Sequence, residues 1–178
     1  NIPLTTQDNG KPFPAEPLSI INRRQKMMND LEEIWEQSFS QLGYKLDLVK
    51  PNYQEMEHDD RMIASLYWLE LEMYNGGFVQ FFCNWGYDAY LLAVEGLEQI
   101  GAINTKELLL KAYSIIEKFE DDERLEELWD LPEYLTQSDD DELSKIDEEY
   151  WQDKEQISRL MLLKFHPDSI KNIDNKES

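Results

Sequence analysis

The side chains with the widest chemical reach in this 178-residue chain are its 38 carboxylates, its two histidines and its single cysteine. Glu55-Met56-Glu57-His58 has the Glu-x-x-His form from which half of a di-iron site in a helical bundle is built, and a whole site needs a second pair on a facing helix. That second pair is missing, because Leu163 stands three residues before His166. A calcium loop counted from Asp139 would require glycine at its sixth position and glutamate at its twelfth, where Ser144 and Tyr150 stand. The sequence therefore predicts no metal and no cofactor. His58, in the run Glu55-Met56-Glu57-His58-Asp59-Asp60, could serve as a general base. A polar helix N-terminus explains the same letters and is the preferred reading. Cys83, between Phe82 and Asn84, reads as a small buried thiol. There is no Gly-x-Ser-x-Gly elbow, phosphate-binding glycine loop or His-Glu-x-x-His. No catalytic residue is assigned, although triads assemble in space rather than in sequence, which keeps an enzyme of unrecognised type as an alternative.

Charge is the stronger signal. The formal net charge is -21, from 38 acidic and 17 basic residues. Such a surface keeps a protein soluble and repels nucleic acid and anionic lipid. Direct DNA or RNA binding would need a basic stripe, and the nearest candidates are only Arg23, Arg24 and Lys26. The natural partner is cationic. Residues 117–155 hold 18 carboxylates against Lys118, Arg124, Lys145 and Lys154, so two-thirds of the net charge sits in this stretch. No apolar run approaches the roughly 18 residues of a membrane span, no signal peptide is legible, and a lone thiol suits a reducing compartment. A cytoplasmic location is expected. A leader already removed stays open, since the chain begins at Asn1.

Helices must position these groups. With 41% apolar and 12% aromatic residues, the chain can bury one core, and an all-α single domain is predicted. Residues 1–18, with Pro3, Pro12, Pro14 and Pro17, read as an extended arm. From Ser19, Ile20, Met27, Met28, Leu31, Ile34, Trp35, Phe39 and Leu42 form a helical stripe that Gly43 is expected to end. A second, central helix should begin at Asp59 or Asp60 as cap and run to Tyr74, with Gly76-Gly77 breaking it. A short aromatic helix should follow, then one over 87–100 closed by Gly101, then one capped by Asn104 or Thr105 and striped by Leu108, Leu109, Ala112, Tyr113, Ile116 and Phe119. In the acidic stretch, Leu125, Leu128 and Trp129, then Leu143, Ile146, Tyr150, Ile157, Leu160 and Met161, keep helical spacing. Asp139 is expected to cap there, with Glu142 as its capping-box partner. The domain should span 19–166, with a frayed tail over 167–178.

The junction Tyr74-Asn75-Gly76-Gly77-Phe78-Val79-Gln80-Phe81-Phe82-Cys83-Asn84-Trp85-Gly86 has a physical reading of its own. Gly76 and Gly77 permit the turn between packed helices, Asn75 can cap, and Phe78, Phe81 and Phe82 fill the junction. Gln80 and Asn84, one turn apart, could bond nearby backbone or line a small pocket. The same run, with Ala93, Leu97 and Ile100-Gly101-Ala102, resembles the signature of a bacterial DNA-mimic protein family of acidic, all-helical domains, over about 31–166. The resemblance implies an all-helical fold, homodimers and, for the DNA-mimic members, acidic side chains that occupy the DNA site of a basic DNA-binding protein.

The charge supports that scale independently. Thirty-nine helical residues would span about 58 Å at about 1.5 Å each, or one net charge per about 4 Å, against about 3.4 Å per strand in duplex DNA. The expected partner-binding residues are Asp121, Asp122, Glu123, Glu126, Glu127 and Asp130, then Asp139, Asp140, Asp141 and Glu142, and Asp147, Glu148 and Glu149. The other reading is an immunity or inhibitor protein that neutralises a cationic toxin or nuclease.

Overall fold

Helical periodicity from residue 18 onward becomes an all-helical domain. The computed structural model describes residues 18–120, 122–152 and 155–170, and all of its regular structure is helical. The expected arm over residues 1–17, Asp121, residues 171–178 and the side chains of Ile20 and Met27 lie outside the described residues. Helix α1 (Leu18–Val49) buries Leu31, Trp35, Phe39 and Leu46 against α2 (His58–Asn75). Gly43 does not end α1, contrary to expectation. A Cβ there would lie 2.3 Å from Cδ1 of Tyr67, and the Gly43 carbonyl accepts from Trp68 Nε1 at 2.9 Å. The glycine permits close helix approach rather than a stop.

Helix α2 is central, touching α1, the helix Gly77–Ile100 and the helix Ile157–Phe165. It starts at His58 with Glu57 at its cap position, so Asp59 and Asp60 sit in the first turn, where carboxylates favour the positive end of the helix dipole. Helix α3 (Gly77–Ile100) is kinked at Gly86, whose φ of 72° breaks the helical path where the sequence places two helices. Gly101, at φ 79°, closes it. Helix α4 (Ile103–Ile116) buries Leu108, Leu109, Ala112, Ile115 and Ile116, and Phe119 continues the stripe in a 3₁₀ turn.

The acidic stretch is less helical than its spacing suggests. Glu120 and residues 122–127 have no helix, Leu128–Asp130 is a 3₁₀ turn, and α5 is only Leu131–Tyr134. Leu128 and Trp129, expected on a buried stripe, are about half exposed, while Leu131 enters the core. The helices expected across this stretch are therefore corrected to this loop, the short α5 and α6 (Gln137–Gln152), with α7 (Ile157–Phe165) following. The expected Asp139 cap shifts too. Thr136 forms the capping box, its Oγ1 accepting from Asp139 N at 3.2 Å while the Asp139 carboxylate accepts from Thr136 N at 2.9 Å. Residues 167–170 form a last helical turn that buries Ile170.

Helices α3, α4 and α7 have no side-chain cap of their own. Carboxylates from distant elements meet their open N–H groups instead. Asp147 Oδ1 accepts from Phe78 N at 3.1 Å; Glu155 accepts from Asn104 N at 3.2 Å and Thr105 N at 3.0 Å; Glu70 accepts from the Ser158 N–H and hydroxyl. Each satisfies an orphan donor and places a negative charge at a helix N-terminus. Part of the chain's acidity is thus structural.

Candidate functional site

Three groups of polar residues stand out: the turn signature between α2 and α3, the histidine at the start of α2, and the exposed carboxylates of α6 and the loop before it. In the first, Gly76 and Gly77 make the turn, and Phe78, Phe81 and Phe82 are buried in it. Asn75 is exposed at the last position of α2. Glu72, only 4% exposed, is the hub that sequence reasoning missed. Its carboxylate accepts from Gln80 Nε2 at 2.8 Å, Asn84 Nδ2 at 2.7 Å and Trp85 Nε1 at 3.0 Å. Asn84 Oδ1 accepts in turn from Trp129 Nε1 at 3.1 Å, tying the acidic loop to the junction. Gln80 and Asn84 therefore serve a buried anion, and Gly86 leaves room for Leu128, whose Cδ1 would lie 3.2 Å from an added Cβ. A buried carboxylate with three donors is a satisfied group. The signal for it was Glu72 itself, eight and twelve residues before Gln80 and Asn84.

At the start of α2, His58 Nε2 lies 3.0 Å from both oxygens of Glu95, and Arg61 Nη2 lies 3.2 Å from Nδ1. The guanidinium can only donate, so Nδ1 accepts and Nε2 carries the proton. In that arrangement both ring nitrogens are engaged, and the imidazole ties α2 to α3 beside a shallow cleft of about 360 Å³. His166 packs edge-on against Phe39, with ring centroids 5.2 Å apart. Cys83 is buried, and burial pushes its thiol up to about 11. Among the described residues no group of three or more His, Cys, Asp or Glu side chains could hold a metal ion, and no helix is long and apolar enough to cross a membrane.

The predicted acidic residues divide into a set tethered into the fold and a set exposed to solvent. Asp122 is clamped by Arg124, whose Nε donates at 2.8 Å and whose Nη2 also pairs with it; these bonds hold its carboxyl down at about 2. Asp139 is likewise held down at about 2, by Lys118 at 2.7 Å and then by the Thr136 bonds. Asp130 Oδ2 accepts from Glu126 N and Glu127 N, both at 2.9 Å. Asp147 caps α3 as described, and burial pushes its carboxyl up. These four shape the fold. Asp121 lies outside the described residues.

The exposed set is Glu123, Glu126 and Glu127 on the loop and Asp140, Asp141, Glu142, Glu148 and Glu149 on α6. Helix α6 turns Leu143, Ile146 and Tyr150 to the core, which leaves Asp141 and Glu148 on the opposite side, flanked by the other three. Ser144 and Lys145 lie among them, and Lys145 is the one cation. Lys111 approaches Glu149 at 3.9 Å, an exposed pair of little energetic weight. From Asp140 to Glu149 the axis runs about 14 Å, so five carboxylates and one lysine give about one net charge per 3 to 4 Å.

The model of the DMP19-like protein family matches residues 54–169, which includes the Glu72 hub, the glycine turn and all of the acidic stretch. Neither a curated protein nor a solved structure matches the chain. The matched span covers well over half of the residues, and the chain belongs to the DMP19-like protein family.

Proposed function

We propose that this protein is a DNA mimic, which binds the DNA-recognition surface of a basic protein and excludes DNA from it. The observation that carries the reading is the solvent face of α6, where Asp140, Asp141, Glu142, Glu148 and Glu149 are exposed and Lys145 is the one cation among them. Their spacing of about one net charge per 3 to 4 Å is that of one DNA strand, about 3.4 Å. A DNA-binding surface gains by meeting anions with its Lys and Arg side chains, and a guanidinium forks onto a carboxylate as it does onto phosphate. Family membership supports the reading, as does a fold that anchors α6 through Leu143, Ile146 and Tyr150, so that its carboxylates are held on a packed element.

Binding rather than catalysis also fits the engagement of both His58 ring nitrogens, by Glu95 and by Arg61. The test is capture from a bacterial extract at low salt with stepwise salt elution, followed by DNA competition on each retained protein. The reading expects a retained DNA-binding protein that releases its DNA as this protein is added. A retained nuclease that is inhibited while still holding DNA would favour an immunity protein, and retention of no cationic protein would contradict both.

A further inference from the structure

The exposed face of α6 does not account for a second feature, a cleft of about 740 Å³ between α1, α2, α6 and α7. Its floor is Trp35, which is buried and donates from Nε1 to Met161 Sδ at 3.3 Å. Its rim carries Tyr74 and Trp151, 63% and 49% exposed, with ring centroids 5.0 Å apart. Tyr150 crosses Trp151 edge-on at 5.0 Å. Tyr44, Tyr87 and Trp129 are exposed elsewhere, and Tyr74 and Trp151 are the two exposed rings that line this cavity. The carboxylates are Glu32 on the rim, Glu155, which is engaged by Asn104 and Thr105, and Glu70 in the wall, where Glu70 is 4% exposed and bonded to Tyr150 and Ser158. Glu32 makes no ion pair among the described residues.

Aromatic faces and a carboxylate together select a cation that has an apolar stem. The ring quadrupole attracts the charge, the ring surface covers the methylenes, and the carboxylate fixes the head. A volume of this size, within the range of sites that enclose a ligand, exceeds one side chain and suits a short peptide segment. Arg159 lines the same cleft and supplies donors for backbone carbonyls of such a segment.

We infer that this cleft seats a short segment of the basic partner, with one arginine or lysine laid across the exposed faces of Tyr74 and Trp151 and its head at Glu32. The inference rests on the protein-binding reading above and adds a second, less salt-sensitive contact to it. An aromatic contact survives salt that screens exposed charges on α6.

The experiment uses the full chain and an acetylated, amidated pentapeptide with a central arginine flanked by leucines, followed through tryptophan fluorescence. A control peptide carries glutamate in place of arginine. Saturable binding of the arginine peptide alone is expected, weakened about tenfold by Trp151→Ala and by Glu32→Gln. Both changes lie at exposed positions, and unaltered melting of either variant identifies its loss as local. Equal binding of the two peptides, or no saturable binding, overturns the proposal. Free argininamide binding as tightly as the peptide would assign the cleft to a small cation and overturn it as well. Failure here leaves the α6 reading standing if neutralising α6 still releases the partner; if the partner survives α6 neutralisation but is lost with Trp151→Ala, the mimic reading fails and the cleft stands.

Discussion

Removing the Glu72 carboxylate tests the account of the family signature. Glu72→Ala leaves three donors without their acceptor: Trp85 Nε1, which is buried, and the amides of Gln80 and Asn84, which are half-buried. A buried unsatisfied donor costs about 1–3 kcal/mol, and a lost bond to a charged group about 1.5–3. Because the two amides regain some water, the sum is about 3 to 5 kcal/mol. Glu72→Gln should be milder, about 1 to 2 kcal/mol. Its carbonyl can still take Asn84 and Trp85, and the Gln80 amide can turn its own oxygen toward the new NH₂. For a domain of this size 1 kcal/mol shifts the melting temperature by about 2–4 °C. The alanine variant should therefore melt roughly 6 to 20 °C below the parent, and the glutamine variant roughly 2 to 8 °C below. Thermal melting by circular dichroism reads both. Pairing Glu72→Ala with Asn84→Ala in a double-mutant cycle should give a coupling of at least about 0.5 kcal/mol. An alanine variant that loses less than about 1 kcal/mol, or a glutamine variant as damaged as the alanine one, would refute the hub.

Other expectations follow from single contacts. Gly86→Ala should cost about 1–2 kcal/mol in urea unfolding, because φ is 72° and the new methyl meets Leu128. Glu155→Ala removes the cap of α4 and should cost about 1 kcal/mol, read as faster hydrogen exchange at Asn104 and Thr105. Stability should vary with pH in two opposite ways. Asp122 and Asp139, pulled from 3.8 to about 2, contribute stability above their unfolded value that is lost as pH falls through it toward 2. Glu70 and Asp147, pushed up by burial, weigh against the fold at neutral pH and cease to do so as they protonate. With mutual repulsion also relieved, the melting temperature should rise between pH 7 and about 5 and fall below about 4. A steady fall across the whole range would contradict this balance.

Local signals carried most of the fold. Helical spacing marked the apolar stripes, and Gly76-Gly77, Gly86 and Gly101 marked the breaks, because a backbone with positive φ or a tight turn leaves its trace in one or two letters. Gly43 carried the same letter for another reason, since what it requires is the Tyr67 ring twenty-four residues away. The loop over 122–127 reads as helix in the sequence because Leu125, Leu128 and Trp129 have the right spacing, while Asp122 and Asp130 bond nearby backbone N–H groups and hold it in turns. The remote caps were invisible in principle. Glu155 reaches Asn104 over fifty-one residues, and Asp147 reaches Phe78 over sixty-nine. Nothing local separates such a carboxylate from Glu148 beside it. The acidic site was therefore legible as a stretch, and only the structure divides it into carboxylates that shape the fold and those that face solvent.

The central claim is that the exposed face of α6 is the binding surface. Asp140→Asn, Asp141→Asn, Glu148→Gln and Glu149→Gln combined remove four charges at nearly constant size, from positions that make no buried contact. Binding to the partner captured at low salt should be measured for parent and variant across a salt series. The account predicts affinity at least about tenfold weaker at low salt and a clearly flatter dependence on salt, with melting unchanged or slightly raised as like charges are removed. Full affinity with an unchanged salt slope would contradict it.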